Sequence, residues 1–541
     1  MSSNLQENTI KPGYTCALLS VSVVLLAPLL LGITIGSTGP SIDTMKNEVI
    51  DYDGNVMRLD QGSEFVVFTS SQASWFASLV TLGAMVGALL GGQMAKNMGY
   101  KKTLLVTVPL FVASFSVLAF GSNVYLLFVS RILVGVAVGI NTFVAPLYIN
   151  EVSPTHLRGM MGASNQLAVT IGILLAYAMG IVLKVDGGHV YAGLKELVPA
   201  PKNSFFNWRT LAVWSALPAV LLGIGVCFIP ESPRWLASRG RLAEAKTELL
   251  RLLNGGTVAA EETALEDLAR EFEEAKTKHT PISQWTLLWA ANKQIGIAIA
   301  LQFFQQFTGI NAIMFYCTTI MRNAHVSHPE VVSIIVMSEQ VIVTLISCFL
   351  MDLWGRRALL MTGASVMAFS CILFGLYFFL VSVVGATNIT VLVYISVFIY
   401  MAAFSIGVGA IPWLIIGELL PDNVRATGSS IATTSNWLFA FVVTESLNSA
   451  TKYLQYYGVM WVFGACAIGL IFFTAFCVPE TLGKTLEEIQ AYFNPSGYMP
   501  VKEKKEGSDL PARTRRCVTL RDELDRLLTI HETNAASALR V

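Results

Sequence analysis

Apolar residues run in twelve long blocks along this chain, at about 14–41, 73–95, 103–121, 124–149, 159–184, 209–229, 291–321, 329–351, 358–384, 390–417, 426–446 and 456–478. A helix needs ~18–20 such residues to cross the hydrocarbon core of a bilayer. The pattern therefore predicts an all-α membrane protein with twelve transmembrane helices. The longest polar interruption, 231–290, divides them six and six. Within it RLAEAKTELLRLL and AAEETALEDLAREFEEAKTK space apolar residues at helical intervals between polar flanks, as soluble helices do. The expected organisation is an N-terminal segment 1–13, a six-helix half 14–230, a helical linker 231–290, a second half 291–478 and a polar tail 479–541.

Composition agrees, with 54% hydrophobic residues and only 13% charged, about half the charged share of soluble domains. Zero net charge argues against nucleic acid as the main partner. The basic residues Lys96, Lys101, Lys102, Arg158, Arg356, Arg357 and Arg425 fall in short loops on one side, which positive-inside bias makes cytosolic. Both termini are expected there. The eight cysteines sit in apolar spans or at Cys517, so a disulfide framework is not expected. No nucleophile–base or metal-ligand constellation stands out; an enzyme is the least supported class, and no cofactor is implied.

The two halves repeat each other. NEVSPTHLRG after the fourth block parallels GELLPDNVRATG after the tenth, with Glu151 to Arg158 and Glu418 to Arg425 both seven residues apart. MGYKK after the second parallels WGRR after the eighth, and PESPRW after the sixth parallels PETLGKT after the twelfth. Parallel halves around a midplane site are a transporter architecture. In the seventh block, FFQQFTGIN places two glutamines and an asparagine inside about thirty mostly apolar residues. Each amide must find a partner within the membrane or cost a few kcal/mol. On a straight helix Gln305 and Asn311 would point about 240° apart, so they share a cavity only if the helix breaks at Thr308-Gly309. GVGAIPW in the tenth block carries the same kind of breaker, and LGITIGSTGP and VGVAVGINTFVAP occupy matching places in the first half.

These motifs resemble the sugar porters of the major facilitator superfamily: Gly355–Arg357, Pro230–Arg234, Gln305–Asn311, Pro412–Trp413 and Pro479–Thr485 match the family's patterns over essentially residues 14–493. The stretches ASWFASLVTLGAMVGALLGG and FAFVVTE look like the endomembrane-type facilitative glucose transporters and insect trehalose transporters. The resemblance implies alternating-access transport of a hexose. It implies sugar contacts at Gln166, Gln302, Gln305, Gln306, Asn311, Gln340, Trp413 and Asn436, with Thr34, Tyr316, Phe404 and Trp437 as gating or lining residues. Amides suit hydroxyls because they both donate and accept. It further implies gate charges at Glu151, Arg158, Asp352, Arg356, Arg357, Glu418 and Arg425. The first-half loop departs from the pattern, with Lys96 where an acid is usual and Tyr100 where an arginine is usual, so the charge latch is complete only in the second half.

Proton symporters of this family commonly carry an aspartate in helix 1 within a GYD pattern, a position read here at Thr34. That favours passive transport over a proton-coupled alternative, for which Glu339, an acid within the eighth block, is the candidate. A non-transporting sugar sensor is a further alternative. Asn388-Ile-Thr is a glycosylation candidate. Glu523 with Leu527 and Leu528 fits an acidic dileucine signal for a sorting adaptor, and equally an amphipathic helix. Plasma membrane and endosomal or lysosomal membranes are both open, as are glucose, fructose, galactose, trehalose and a polyol as cargo.

Overall fold

A computed structural model describes residues 13–45, 48–50, 56–58, 68–154, 157–185, 208–254, 263, 265–266, 269–270, 284–386, 389–484 and 486–493. Asn388, Glu523, Leu527 and Leu528 lie outside the described residues, as do the side chains of Arg158 and Asp352.

Eleven described helices are long and apolar enough to cross a membrane. The last, Val424–Cys477, has 54 residues. At 1.5 Å per residue that is about 80 Å, more than twice the hydrocarbon thickness of a bilayer. It breaks at Gln455, whose φ of 58° and ψ of 173° are not helical. Two spans result, giving the twelve expected: α1 Thr15–Ile42, α2 Ser70–Met98, α3 Tyr100–Phe120, α4 Val124–Val152, α5 Arg158–Val185, α6 Trp208–Phe228, α7 Asn292–Asn323, α8 Pro329–Trp354, α9 Arg356–Val384, α10 Val391–Leu419, α11 422–454 and α12 456–477. A short antiparallel ribbon, β1 Glu48–Ile50 with β2 Val56–Arg58, lies between α1 and α2. An even number of spans puts both ends of the described chain on one face, here the terminal face; the opposite one is the far face.

On the terminal face the helices Pro233–Ala237 and Leu242–Leu252 follow α6. Leu236, Ala245, Leu249 and Leu253 bury a small apolar cluster there, with Tyr14 packed against it. Gly13 N–H donates to Leu253 O at 3.1 Å, and Arg251 reaches Phe228 O at 2.6 Å. The described start of the linker, 231–254, thus docks on the root of the first half.

Lipid tails are as apolar as leucine, so helix association in a membrane relies on close packing more than on hydrophobicity. Glycine provides it here. A Cβ on Gly32 of α1 would lie 2.0 Å from Val169 O of α5, and one on Gly87 of α2 would lie 2.2 Å from Val136 O of α4. The breaker expected in α4 is not realised, and α1 is interrupted at Leu25 and Ser37 without leaving right-handed helical angles. Ser37 keeps helical angles (φ −72°, ψ −15°), and α4 is one helix from Val124 to Val152. Their glycines serve backbone contact, not a hinge.

Gly32→Val should abolish folded protein, because its added atoms meet backbone that cannot yield. Gly296→Ala should be tolerated, since a Cβ there meets nothing within 4 Å. Size-exclusion profiles of the detergent-extracted variants check both outcomes.

Candidate functional site

Near the middle of α7 the helix stops at Phe307 and restarts at Ile310. Gly309 adopts φ +94°, a left-handed angle that costs a side chain but not glycine. A Cβ there would also lie 2.3 Å from the Phe463 ring of α12. Opposite, α10 widens into a π turn at Phe404–Val408 and restarts at Ile411, with Pro412 in its first turn. Both breaks expected from the sequence of the second half are present.

A broken helix frees backbone groups, and the two breaks satisfy each other. Pro412 has no N–H to give Val408 O, four residues earlier. Gln305 supplies the missing donor: its Nε2 donates to Val408 O and to Gly409 O, both at 2.8 Å. In return Tyr400 of α10 donates from its hydroxyl to Thr308 O at the α7 break, at 3.0 Å.

From this joint an amide cluster extends to α11. Asn436 Nδ2 donates to Gln302 Oε1 at 2.5 Å and to Gln305 Oε1 at 3.0 Å. One turn away Asn311 Nδ2 donates to Gln306 Oε1 at 2.7 Å. All five amides are buried. Gln302 Nε2 and both amide atoms of Gln340 on α8 are buried with no protein partner among the described residues. An amide in that position costs about 2–7 kcal/mol unless something polar meets it. The cluster thus offers hydrogen-bond donors and acceptors, without net charge, at mid-membrane depth.

The other expected residues differ in burial and in partners. Trp437 and Phe404 are buried, Trp413 is half-buried just after Pro412, and Gln166 is half-buried on α5. Tyr316 is buried at a second irregularity of α7, φ −120° and ψ 18°. Thr34 donates back to Leu30 O of its own helix. Another α1 hydroxyl, Thr38, one turn on, does meet another helix: Arg131 of α4 reaches its Oγ1 at 2.5 Å. Arg131 is 1% exposed, and it also donates to Phe76 O at 3.0 Å and lies over the Phe76 ring at 4.6 Å. Sequence reading missed Arg131; a lone arginine inside the block VSRILVG was the available signal.

Towards the far face, hydrogen bonds join the two halves. Ser78 of α2 donates to Glu445 of α11 at 2.7 Å, Asn448 to Ser74 at 2.5 Å, and Tyr177 of α5 to Met314 O of α7 at 2.7 Å. Glu445 also escaped sequence reading, although an acid inside an apolar block is a signal in itself.

On the terminal face the charges brace each half. Gly355, at φ +85°, turns the chain into α9, and Glu480 accepts from the Arg356 and Arg357 N–H groups at 3.1 Å and from Thr481 and Leu482 at 2.9 and 3.0 Å. Gly99, at φ +90°, turns into α3, where Glu231 accepts from Tyr100 at 3.1 Å and Lys101 at 3.2 Å. Arg356 pairs with Glu418 at 3.4 Å. At the matching place in the first half Tyr100 donates to Glu151 Oε1 at 2.7 Å, so a hydroxyl does what the missing arginine would have done. Glu151 also accepts from Ser232, Arg357 reaches Ala475 O, and Arg425 donates to Leu420 O at 3.2 Å. These bonds stay within a half, unlike those near the far face.

The two glutamates differ electrostatically. Burial pushes the Glu480 carboxyl up, but its backbone donors outweigh this and hold it below the usual range. For Glu231 burial wins over the same kind of donors, and the nearby Glu151 adds to the rise.

Residues 21–493 match the family model described as Sugar (and other) transporter. The chain is 34% identical over 487 residues to the facilitated glucose transporter member 8 of Bos taurus, covering 86% of this chain and 92% of that one. It is 30% identical over 485 residues to the facilitated trehalose transporter Tret1 of Apis mellifera ligustica, covering 89% and 88%. Among solved structures, the major facilitator proton:xylose symporter XylE bound to 6-bromo-6-deoxy-D-glucose superposes with a TM-score of 0.70 at 24% identity, over 88% of this chain and 98% of that one. That likeness establishes the fold.

Glu480→Gln should lower stability at pH 7 by about 1–2 kcal/mol, a charge-assisted acceptor being lost at a partly exposed site. A depressed acid stabilises above its unfolded pKa and loses that contribution as pH falls through the folded one. The gap to wild type should therefore close between about pH 5 and pH 3. Glu231→Gln has the opposite sign: a raised acid favours its protonated form, so the substitution should cost less at pH 7. Melting temperatures in detergent across that range test the pair.

Proposed function

Because the chain belongs to the sugar transporter family, we propose that it carries a hexose down its concentration gradient by alternating access, with glucose the first cargo to test. It is a multi-pass membrane protein of the major facilitator fold, and a sugar transporter rather than an enzyme. The observation that carries the finer reading is the buried amide cluster. Gln302 Nε2 has no protein partner among the described residues, while its Oε1 shares the Asn436 donor with Gln305, which is bonded to the α10 break; the Gln340 amide on α8 is likewise buried without a protein partner among the described residues. Neutral donors and acceptors match a polyhydroxylated ring, and they release it where a charge would hold it. Glucose and trehalose both stand in the names of similar carriers, and a hexose is the smaller unit that one amide cluster of this kind can surround. We take the terminal face to be cytosolic, because Lys96, Lys101, Lys102, Arg356, Arg357 and Arg425 gather there.

Passive transport rests on the surroundings of Arg131. Its described partners are a threonine hydroxyl, a backbone carbonyl and a phenyl ring, and none of them exchanges a proton at physiological pH. A second reading, proton symport, has one specific support: Glu339 sits beside Gln340 inside α8, and its Oε2 has no protein partner among the described residues.

Purified protein in liposomes should take up radiolabelled glucose until concentrations equalise, with no response to an imposed pH gradient. Asn436→Ala, which removes the link between Gln302 and Gln305, should cut Vmax/KM by about 10- to 100-fold. Saturable binding without flux would make the protein a sensor, and the absence of binding would exclude glucose.

The symport reading predicts accumulation against a gradient that is lost in Glu339→Gln. On the uniport reading Glu339→Gln leaves uptake indifferent to pH gradients. Parallel uptake assays at equal and unequal pH separate the two.

A further inference from the structure

The two pieces of α10 are held by different partners. Upstream of the break, Gly407 packs on α9, where a Cβ would lie 2.5 Å from Leu359 O. Ser347 of α8 donates to Ile406 O at 3.1 Å, and Tyr400 is bonded to Thr308 O. Downstream, the piece Ile411–Leu419 carries Trp413 and ends at Glu418, which pairs with Arg356 at 3.4 Å, and at Leu419 O, which accepts from Gln490 at 2.9 Å. Between the pieces, the carbonyls of Val408 and Gly409 receive their donors from one side chain, Gln305.

The Gln305 amide has two N–H bonds to give, and both are committed. Its oxygen accepts from Asn436. A cargo oxygen that takes a hydrogen bond from Gln305 must therefore displace a backbone carbonyl of the α10 joint. We propose that this exchange is the trigger of transport: Gln305 is a strut that locks the α10 hinge, and cargo unlocks it by claiming the strut's donors. Once released, Ile411–Leu419 swings on Gly409 and Ala410, carrying Trp413 towards the cargo and Glu418 away from Arg356. The trigger rests on the sugar reading above; the strut itself does not.

The ligand shifts the equilibrium only by what it gains at Gln305 in the released state over the locked one. Gln305 is thus a positioning residue while it bonds α10, and among the described residues Gln302 and Gln340 hold buried amide donors not already spoken for. Pro412 is the other half of the device, because an N–H at that position would satisfy Val408 O and leave the strut redundant.

Hydrogen–deuterium exchange on the full-length protein in nanodiscs, read on peptides covering 404–420, tests this with D-glucose as the probe. Glucose should speed exchange in 411–419 of the wild type. Gln305→Met, without glucose, should raise it by about tenfold or more, the lock being gone. Pro412→Ala should hold exchange low with or without glucose and slow transport by about tenfold while glucose binding persists. If Gln305→Met does not fold, Gln305→Glu keeps the acceptor for Asn436 while removing the donors, and the same rise is expected. Unchanged sugar-free exchange in the Gln305 variants overturns the strut. Bound glucose that leaves wild-type exchange unchanged overturns the trigger. Glucose that fails to bind overturns the cargo reading alone, because the sugar-free arms still decide the strut.

Discussion

Pro412 has no N–H to give, and inside a membrane the carbonyl it abandons at Val408 cannot turn to bulk water. That constraint organises the second half of this protein. An unpaired backbone group in hydrocarbon costs several kcal/mol, so irregular backbone survives there only where protein encloses it. Here each of the two irregular helices supplies what the other lacks, Gln305 for α10 and Tyr400 for α7. The amides follow from this joint: Gln305 is oriented by the carbonyls it serves, Asn436 by Gln305, and Gln302 by Asn436. The two helix breaks and the amide cluster are parts of one hydrogen-bond network, which on the proposed reading would couple occupancy to shape.

The same logic operates at the membrane surface in simpler form. Each half turns from its second into its third helix through a left-handed glycine, and each covers the exposed N–H groups of the new helix with a glutamate from the segment after its last helix. Such a cap ties the middle of a half to its end. The halves differ in chemistry at the neighbouring contact, Tyr100 to Glu151 in one and Arg356 to Glu418 in the other. A neutral hydroxyl keeps the contact with a smaller desolvation cost than a guanidinium, which explains how the first half dispenses with the arginine.

Much of this was legible in the sequence. Twelve apolar blocks set the helix count, and repeated loop motifs set the six-and-six arrangement. The breaks at Gly309 and Pro412 could be read because glycine and proline act on backbone through local rules. What could not be read was which partner each freed group would take. Tyr400 and Glu445 sit in blocks with no unusual spacing, and their roles depend on a helix distant in sequence. The glycines of α1 and α4 look the same in sequence as Gly409 at the α10 break. Only the neighbouring backbone, 2.0 Å from a Cβ on Gly32, shows that they close a contact instead of opening a hinge.

That difference makes a pseudo-symmetric molecule mechanically asymmetric. In the first half α1 lies on α5 and α2 on α4 at glycine contacts, and such packing has one good arrangement. In the second half α7 and α10 are each two pieces joined by side-chain hydrogen bonds, which can be exchanged for others of similar strength. A neutral polar cargo competes for bonds of that kind, whereas it has nothing to offer a backbone-to-backbone glycine contact. On the proposed reading the first half would act as the reference surface, and a sugar would be read by α7 and α10, where its hydroxyls can replace what holds the backbone in place.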